Sequence, residues 1–243
     1  MGPRHLRGND GVIRFYSLNI VDLSTGRCGT QPLFSRGGSA VYEALWAIWG
    51  RLGMPRHLQV DNEMAFYGSP VHPRGMGPLI RLCLLYGIEL WFIPQSEPWR
   101  NGVVEQFNHH YQQKFLGRVT MRSIDELREG ALAFEQKHNS RYRYSKLNGK
   151  TPLKALAQSG RKPLRFPPDQ PAPKTRLTKP DSGKYHVIRF IRSDCKLNVF
   201  GDQFHLPPDL QYEYVVATID VKEQTLKIFL DHFQMEEFDY KLR

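Results

Sequence analysis

Cysteine is scarce in this chain. Cys28, Cys83 and Cys195 lie far apart and form no CxxC pair. That spacing argues against a zinc knuckle or a disulfide framework and suits a reducing compartment. Long apolar runs are lacking too. No stretch reaches the roughly 18 residues that a membrane-spanning helix needs, and the opening MGPRHLRGND has no apolar signal-peptide core. The chain has no Gly-rich phosphate loop, no Ser-His-Asp spacing and no internal repeat. One long segment lacks acid: from Lys137 to Arg165 there are nine basic residues and no Asp or Glu.

That absence gives meaning to the net charge of +10 over 243 residues. Residues 175–243 carry 10 basic and 11 acidic groups, whereas residues 1–174 carry 24 and 13. The charge is therefore segregated, and Tyr142 and Tyr144 interleave with Arg141 and Arg143 at its densest point. A basic stripe punctuated by aromatics is the footprint of a polyanion, most simply a nucleic-acid backbone. The plainer alternative is a soluble basic surface, with Tyr142 and Leu147 packing a helix tail onto the core.

The apolar pattern reads as α/β. Val12–Val21 and Arg27–Phe34 predict a hairpin around the Gly26 turn. A helix follows from Gly37-Gly38-Ser39 to about Leu52, ended by Gly53. His57–Val60 and Ile88–Ile93 are short strands separated by a Leu-rich helix over about 75–86, which implies parallel crossovers. Ser123-Ile-Asp-Glu126 is a capping-box start for a helix to about His138. Six prolines between Pro163 and Pro180 mark an extended linker. Beyond it five short strands (185–191, 197–199, 203–206, 214–220, 225–230) suggest a small barrel.

The candidate chemistry centres on Pro94 to Gln112, PQSEPWRNGVVEQFNHHYQ. Its two prolines bound a short loop, Asn101 is placed to cap a helix, and Val103, Phe107, Tyr111 and Phe115 run down one side. Glu105 lies elsewhere on the helix, among amides rather than lysines. It is either a solvated acid favoured by the helix dipole or a ligand. Asp61 ends the strand at Val60, where open α/β sheets gather reactive groups, unless it only closes an Asx turn. Two carboxylates without His or Cys suit a hard cation such as Mg²⁺, whose use in a basic protein is phosphoryl transfer on nucleic acid. His109 and His110 read as surface or phosphate-facing residues, and Trp99 either anchors the loop or packs.

LQVDNEMAF and FIPQSEPWRNGVVEQFN resemble the catalytic core of retroviral-type integrases and DDE transposases, with RYRYSKLNGKTPLKAL like the tail of bacterial insertion-sequence members. The resemblance spans roughly residues 11–157. It implies a ribonuclease-H-like mixed sheet flanked by helices, plus a small SH3-like all-β barrel. The implied division is a core over 1–157, a Pro-rich basic linker over 158–182 and the barrel over 183–243. It further implies metal-dependent DNA nicking and strand transfer, with Asp61 and Glu105 as catalytic, metal-binding carboxylates for Mg²⁺ or Mn²⁺ (two ions in a complete triad). Arg100, Asn101, Asn108, Lys114, Arg141, Arg143 and Lys150 are the expected DNA contacts. The partners implied are element-end and target DNA and further copies of the chain, with no membrane and no small-molecule cofactor, in bacterial cytoplasm near the nucleoid.

Compared with the family, the first catalytic Asp is expected at or before Met1, Asp10 and Asp22 are expected to be poor substitutes, and an N-terminal end-finding module is expected to be missing. Three readings follow: an active strand-transferring enzyme, a catalytically defective DNA-binding and assembly fragment, and a ribonuclease-H-like nuclease.

Overall fold

The computed structural model describes residues 2–8, 11–68, 74–94, 97–160, 166–167 and 178–243. Asp10 and most of the Pro-rich linker lie outside the described residues. The chain divides into two compact units, one of Met1–Met54 with Pro98–Ala172 and one of Pro55–Glu97 with Pro173–Arg243. Among the described residues no helix is long and apolar enough to cross a membrane.

In the first unit, strands β1 (Arg4–Gly8), β2 (Gly11–Val21) and β3 (Cys28–Leu33) form an antiparallel sheet in that order. The apolar pattern does not announce β1, whose RHLRG is short and mostly polar; it holds no carboxylate. Helices α1 (Gly38–Leu52) and α5 (Ile124–Arg141) pack on β3, and α4 (Gly102–Tyr111) packs on β2. Phe107, Tyr111 and Phe115 of the predicted stripe are buried with Phe15, Cys28 and Leu127. A four-residue spacing drifts against a helix of about 3.6 residues per turn. The wider π-helical turn at Gln112–Leu116 takes up that drift before Phe115. Gly29 lets β3 and α1 meet, since a Cβ there would stand 2.3 Å from Ile48 Cγ2.

Helix α5 is longer than its apolar pattern predicts and buries three polar residues, Glu135, His138 and Asn139. Its start follows the expected cap: Glu126 N donates to Ser123 Oγ at 3.1 Å, and Glu126 Oε2 accepts from Arg122 N at 2.7 Å. Its far end meets the outer edge of β3. Asn139 Oδ1 accepts from Cys28 N at 2.8 Å, and its Nδ2 donates to Cys28 O at 2.9 Å. Glu135 Oε2 accepts from Thr30 N at 2.8 Å, while Arg51 Nη2 donates to Thr30 O at 2.9 Å and to the same carboxylate at 3.0 Å. His138 Nε2 lies 2.9 Å from Tyr144 Oη.

In the second unit, β4 (His57–Val60), β5 (Glu89–Phe92) and β6 (Lys184–Phe190) are parallel neighbours. Antiparallel strands β9 (Tyr214–Asp220), β10 (Thr225–Leu230) and β11 (Phe233–Asp239) complete a mixed six-stranded sheet. β7 (Lys196–Val199) and β8 (Asp202–His205) form a separate hairpin. Among themselves the C-terminal strands pair antiparallel, as expected of a small barrel, while β6 also pairs parallel with β5 and so joins them to the sheet of β4 and β5. The pattern predicts five and the structure has six, because β11 (FQMEEFD) is rich in acids that strands seldom use. Between β4 and β5 lie the short α2 (Met64–Tyr67) and α3 (Pro78–Leu85). Helix α3 starts three residues later than expected. Extended Gly77 precedes Pro78, and a Cβ on Gly77 would stand 2.6 Å from the Tyr67 carbonyl carbon.

Two outcomes are expected. Asn139→Leu leaves the Cys28 N–H and C=O buried without partners and lowers stability by about 3 kcal/mol, read from the urea midpoint; an unchanged midpoint would show the edge needs no amide. The second concerns His138, whose burial, reinforced by His110, lowers its pKa from 6.5 to about 4. The unfolded chain then binds the proton more tightly. Stability is full above about pH 6.5 and falls on the order of 2–3 kcal/mol as pH drops towards about 4. Urea midpoints measured against pH should show this slope in the parent and lose it in His138→Phe.

Candidate active site and nucleic-acid interface

Asp61 leaves the C-terminal end of β4, among parallel strands, as the sequence predicts. The residue is exposed, and Oδ1 accepts from Glu63 N at 3.1 Å, which closes an Asx turn. Desolvation of the carboxyl pushes its pKa above the usual value. The neighbouring Asn62 is tied down on both sides: Nδ2 donates to Ile93 O at 2.6 Å, and Oδ1 accepts from Arg189 Nη2 at 2.8 Å. Arg189, on β6, is buried and also donates to the carbonyls of Ile188 at 2.8 Å, Asn198 at 3.0 Å and Ile93 at 3.3 Å. Burial lowers its pKa to about 10, so it stays charged at neutral pH. The sequence gives no sign of this residue, because a lone Arg in a C-terminal strand looks like surface charge.

Glu105 is exposed in the first turns of α4, in the other unit. Asn101 stands at the N-cap position without a side-chain cap bond, after a 3₁₀ turn at Pro98–Asn101. This turn starts at the second proline, just past the loop that the two prolines bound, since Pro is tolerated at the first position of a helical turn. Trp99 and Arg100 are exposed on it. Asn108 serves the fold: its Oδ1 accepts from Asn19 Nδ2 of β2 at 2.7 Å. Lys114 is exposed on the π turn.

Asp22 is occupied by its own turn. Its carboxylate accepts from Ser24 N at 2.9 Å, Ser24 Oγ at 2.7 Å and Thr25 Oγ1 at 2.6 Å. Burial opposes the charge, but these bonds outweigh it and hold the pKa below its ordinary value. Among the described residues no three His, Cys, Asp or Glu side chains stand close enough together to hold a metal ion. Asp61 and Glu105 offer the oxygen donors that Mg²⁺ takes, so they fit such an ion in kind. In number they fall short of a full ligand set, with one carboxylate carried by each unit.

Arg141, Arg143, Lys146, Lys150 and Lys154 are all exposed. The loop that carries Arg143, Lys146 and Lys150 closes on itself: Tyr144 and Lys150 form a bridge, Tyr144 O accepts from Leu147 N and Gly149 N, and Asn148 takes the left-handed conformation. Under the loop lies an aromatic cluster of His110, Phe134, His138, Tyr142 and Tyr144. His110 is therefore half-buried packing rather than surface, because the cluster draws its ring inwards; burial also lowers its pKa. The signal for His138 was present, since it continues the Leu127, Ala131, Phe134 stripe by one helical turn.

Residues 86–152 match the family described as integrase core domain. No curated protein matches the chain in sequence. Among solved structures, a chain of the simian T-cell lymphotropic virus intasome in complex with PP2A regulatory subunit B56 gamma aligns over 98% of this chain and 74% of its own. It has 16% identity and a TM-score of 0.50. The HTLV-2 integrase catalytic core domain in complex with magnesium aligns over 63% of this chain and 90% of its own, at 17% identity and a TM-score of 0.44. The BIV integrase catalytic core aligns over 64% and 91%, at 16% and 0.45. The mixed sheet flanked by helices, with its added antiparallel strands, has the fold of that intasome chain, and residues 86–152 are similar to an integrase core domain.

Proposed function

We propose that this chain is the core of a DNA integrase or transposase, a polynucleotidyl transferase that nicks DNA and joins its strands with Mg²⁺ or Mn²⁺. The observation that supports this most is the integrase core segment itself. It runs from the turn before β5 to just past Lys150 and contains both exposed Glu105 and the exposed basic loop. Asp61 and Glu105 would be two of the metal ligands, and the bound metal would activate the attacking oxygen and stabilise the leaving one. Arg141, Arg143 and Lys150 would hold phosphates, with Arg100 and Lys114 on the α4 side. The working assembly would be a multimer on element-end and target DNA, in bacterial cytoplasm near the nucleoid. Its domains would divide at about residues 157 and 182.

A second reading is favoured by one pair of observations: β1 holds no carboxylate, and Asp22 is bound into its own turn. On that reading the chain binds and assembles on DNA without cutting it.

An assay of Mg²⁺-dependent nicking and strand transfer separates the two. The enzyme reading expects activity that falls about a thousandfold in Asp61→Asn and in Glu105→Gln, the several kcal/mol that a metal supplies. Activity that survives both substitutions would remove these residues from the site. DNA binding without any nicking would establish the second reading. For the basic loop, neutralising Arg141, Arg143 and Lys150 together should reduce the slope of log binding constant against log salt by about 2.7, or roughly 0.9 for each phosphate that is no longer neutralised. An unchanged slope means that the loop does not touch the backbone.

A further inference from the structure

Tyr142 is the first residue after α5, in extended conformation (φ −68°, ψ 134°), and the residue is 37% exposed. Its ring is nevertheless held in place. The buried His138 ring lies parallel to it, 11° between planes and 4.8 Å between centroids. His110 approaches at 4.6 Å, and Tyr144 meets it edge-on at 4.8 Å and 75°. Tyr144 is itself fixed by its hydroxyl contact to His138 Nε2 at 2.9 Å. An exposed aromatic that merely closed a core would be free to turn, whereas this one is braced from within and keeps a surface towards solvent.

The surroundings say what that surface fits. Arg141 at the end of α5 and Arg143, Lys146 and Lys150 in the loop after it are exposed, and no acid occurs between Lys137 and Gly160. A fixed aromatic ring in a segment of exposed cations matches a nucleotide strand, whose bases stack on the ring while its phosphates meet the charges. Between the ends of a duplex both faces of each base are already stacked, so the ring takes a base at an end or one that has left the helix, and an unpaired base reaches it more freely. From this we infer that Tyr142 is a stacking platform for an unpaired DNA base, at a single-stranded overhang or a frayed end. The inference rests on the DNA reading above and adds to it a preference for unpaired nucleotides.

Fluorescence anisotropy with the full chain tests this on three DNAs: a blunt duplex, the same duplex with a four-thymine overhang, and one whose overhang carries abasic spacers. The overhang should tighten binding about tenfold over the blunt duplex, and the abasic overhang should lose that gain, because stacking needs a base. Tyr142→Ala should abolish the gain and keep the salt slope, while Tyr142→Phe should retain both. Circular dichroism confirms that each variant is folded, and the Phe variant preserves the test if the Ala variant is not. Equal binding of thymine and abasic overhangs, or a gain that survives in folded Tyr142→Ala, overturns the platform alone. Failure to bind any of the three DNAs overturns the DNA reading with it.

Discussion

The outer edge of β3 is the constraint on which the first unit depends. An edge strand presents unpaired N–H and C=O groups, and burying them unpaired is costly. Here a helix supplies what a neighbouring strand would. Asn139 offers Cys28 the donor and acceptor of a peptide group, and Glu135 with Arg51 does the same for Thr30. The geometry allows it because four residues of helix rise about 6 Å and two residues of strand about 6.6 Å, so alternate strand residues meet successive turns of α5. Arg27 extends the arrangement by donating to the Arg51 and Leu52 carbonyls at the end of α1. The sheet, α1 and α5 are thus joined by hydrogen bonds as well as by packing.

The second unit solves a similar problem at the exit of β4. The Ile93 carbonyl at the end of β5 and the Asn62 side chain after β4 converge on Arg189. A buried guanidinium is unfavourable unless its donors are used. Arg189 uses them on four oxygens, and the Asp61-Asn62 turn is fixed as a result. Asp61 can then stay exposed and ionisable while the residue beside it bears the structural load.

Much of the fold was legible because period and punctuation decide it. The hairpin, the Gly53 helix end, the parallel strands at His57 and Ile88, and the Ser123 cap all follow from local pattern. What escaped was long-range. The Asn139–Cys28 and Glu135–Thr30 bonds span 111 and 105 residues, and nothing local marks a polar residue that will be buried against another element's backbone. Short polar β1 and acidic β11 escaped because strand propensity is set by neighbours as much as by composition. For the candidate site, Asp61 and Glu105 could be singled out by position and motif. Asn108 was grouped with Asn101 as an expected DNA contact, and no local pattern marked its bond to Asn19. Arg189 carried no local signal at all.

The edge of β3 and the basic loop are physically continuous. Asn139 fixes α5 against β3, and His138, next to it in sequence, turns its ring into the cluster that braces Tyr142. Because burial keeps His138 neutral at pH 7, no charge is stored beneath the ring, and the positive charge of the loop stays on exposed Arg and Lys side chains. A loop of like charges repels itself and would ordinarily spread into solvent. This one is held closed by the Tyr144–Lys150 bridge and by its aromatic underside. The apolar cluster offsets the repulsion, so the cations are gathered in place before any polyanion arrives. On the proposed function, a nucleic-acid partner would meet a surface already ordered, and less of the binding free energy would go into ordering the loop.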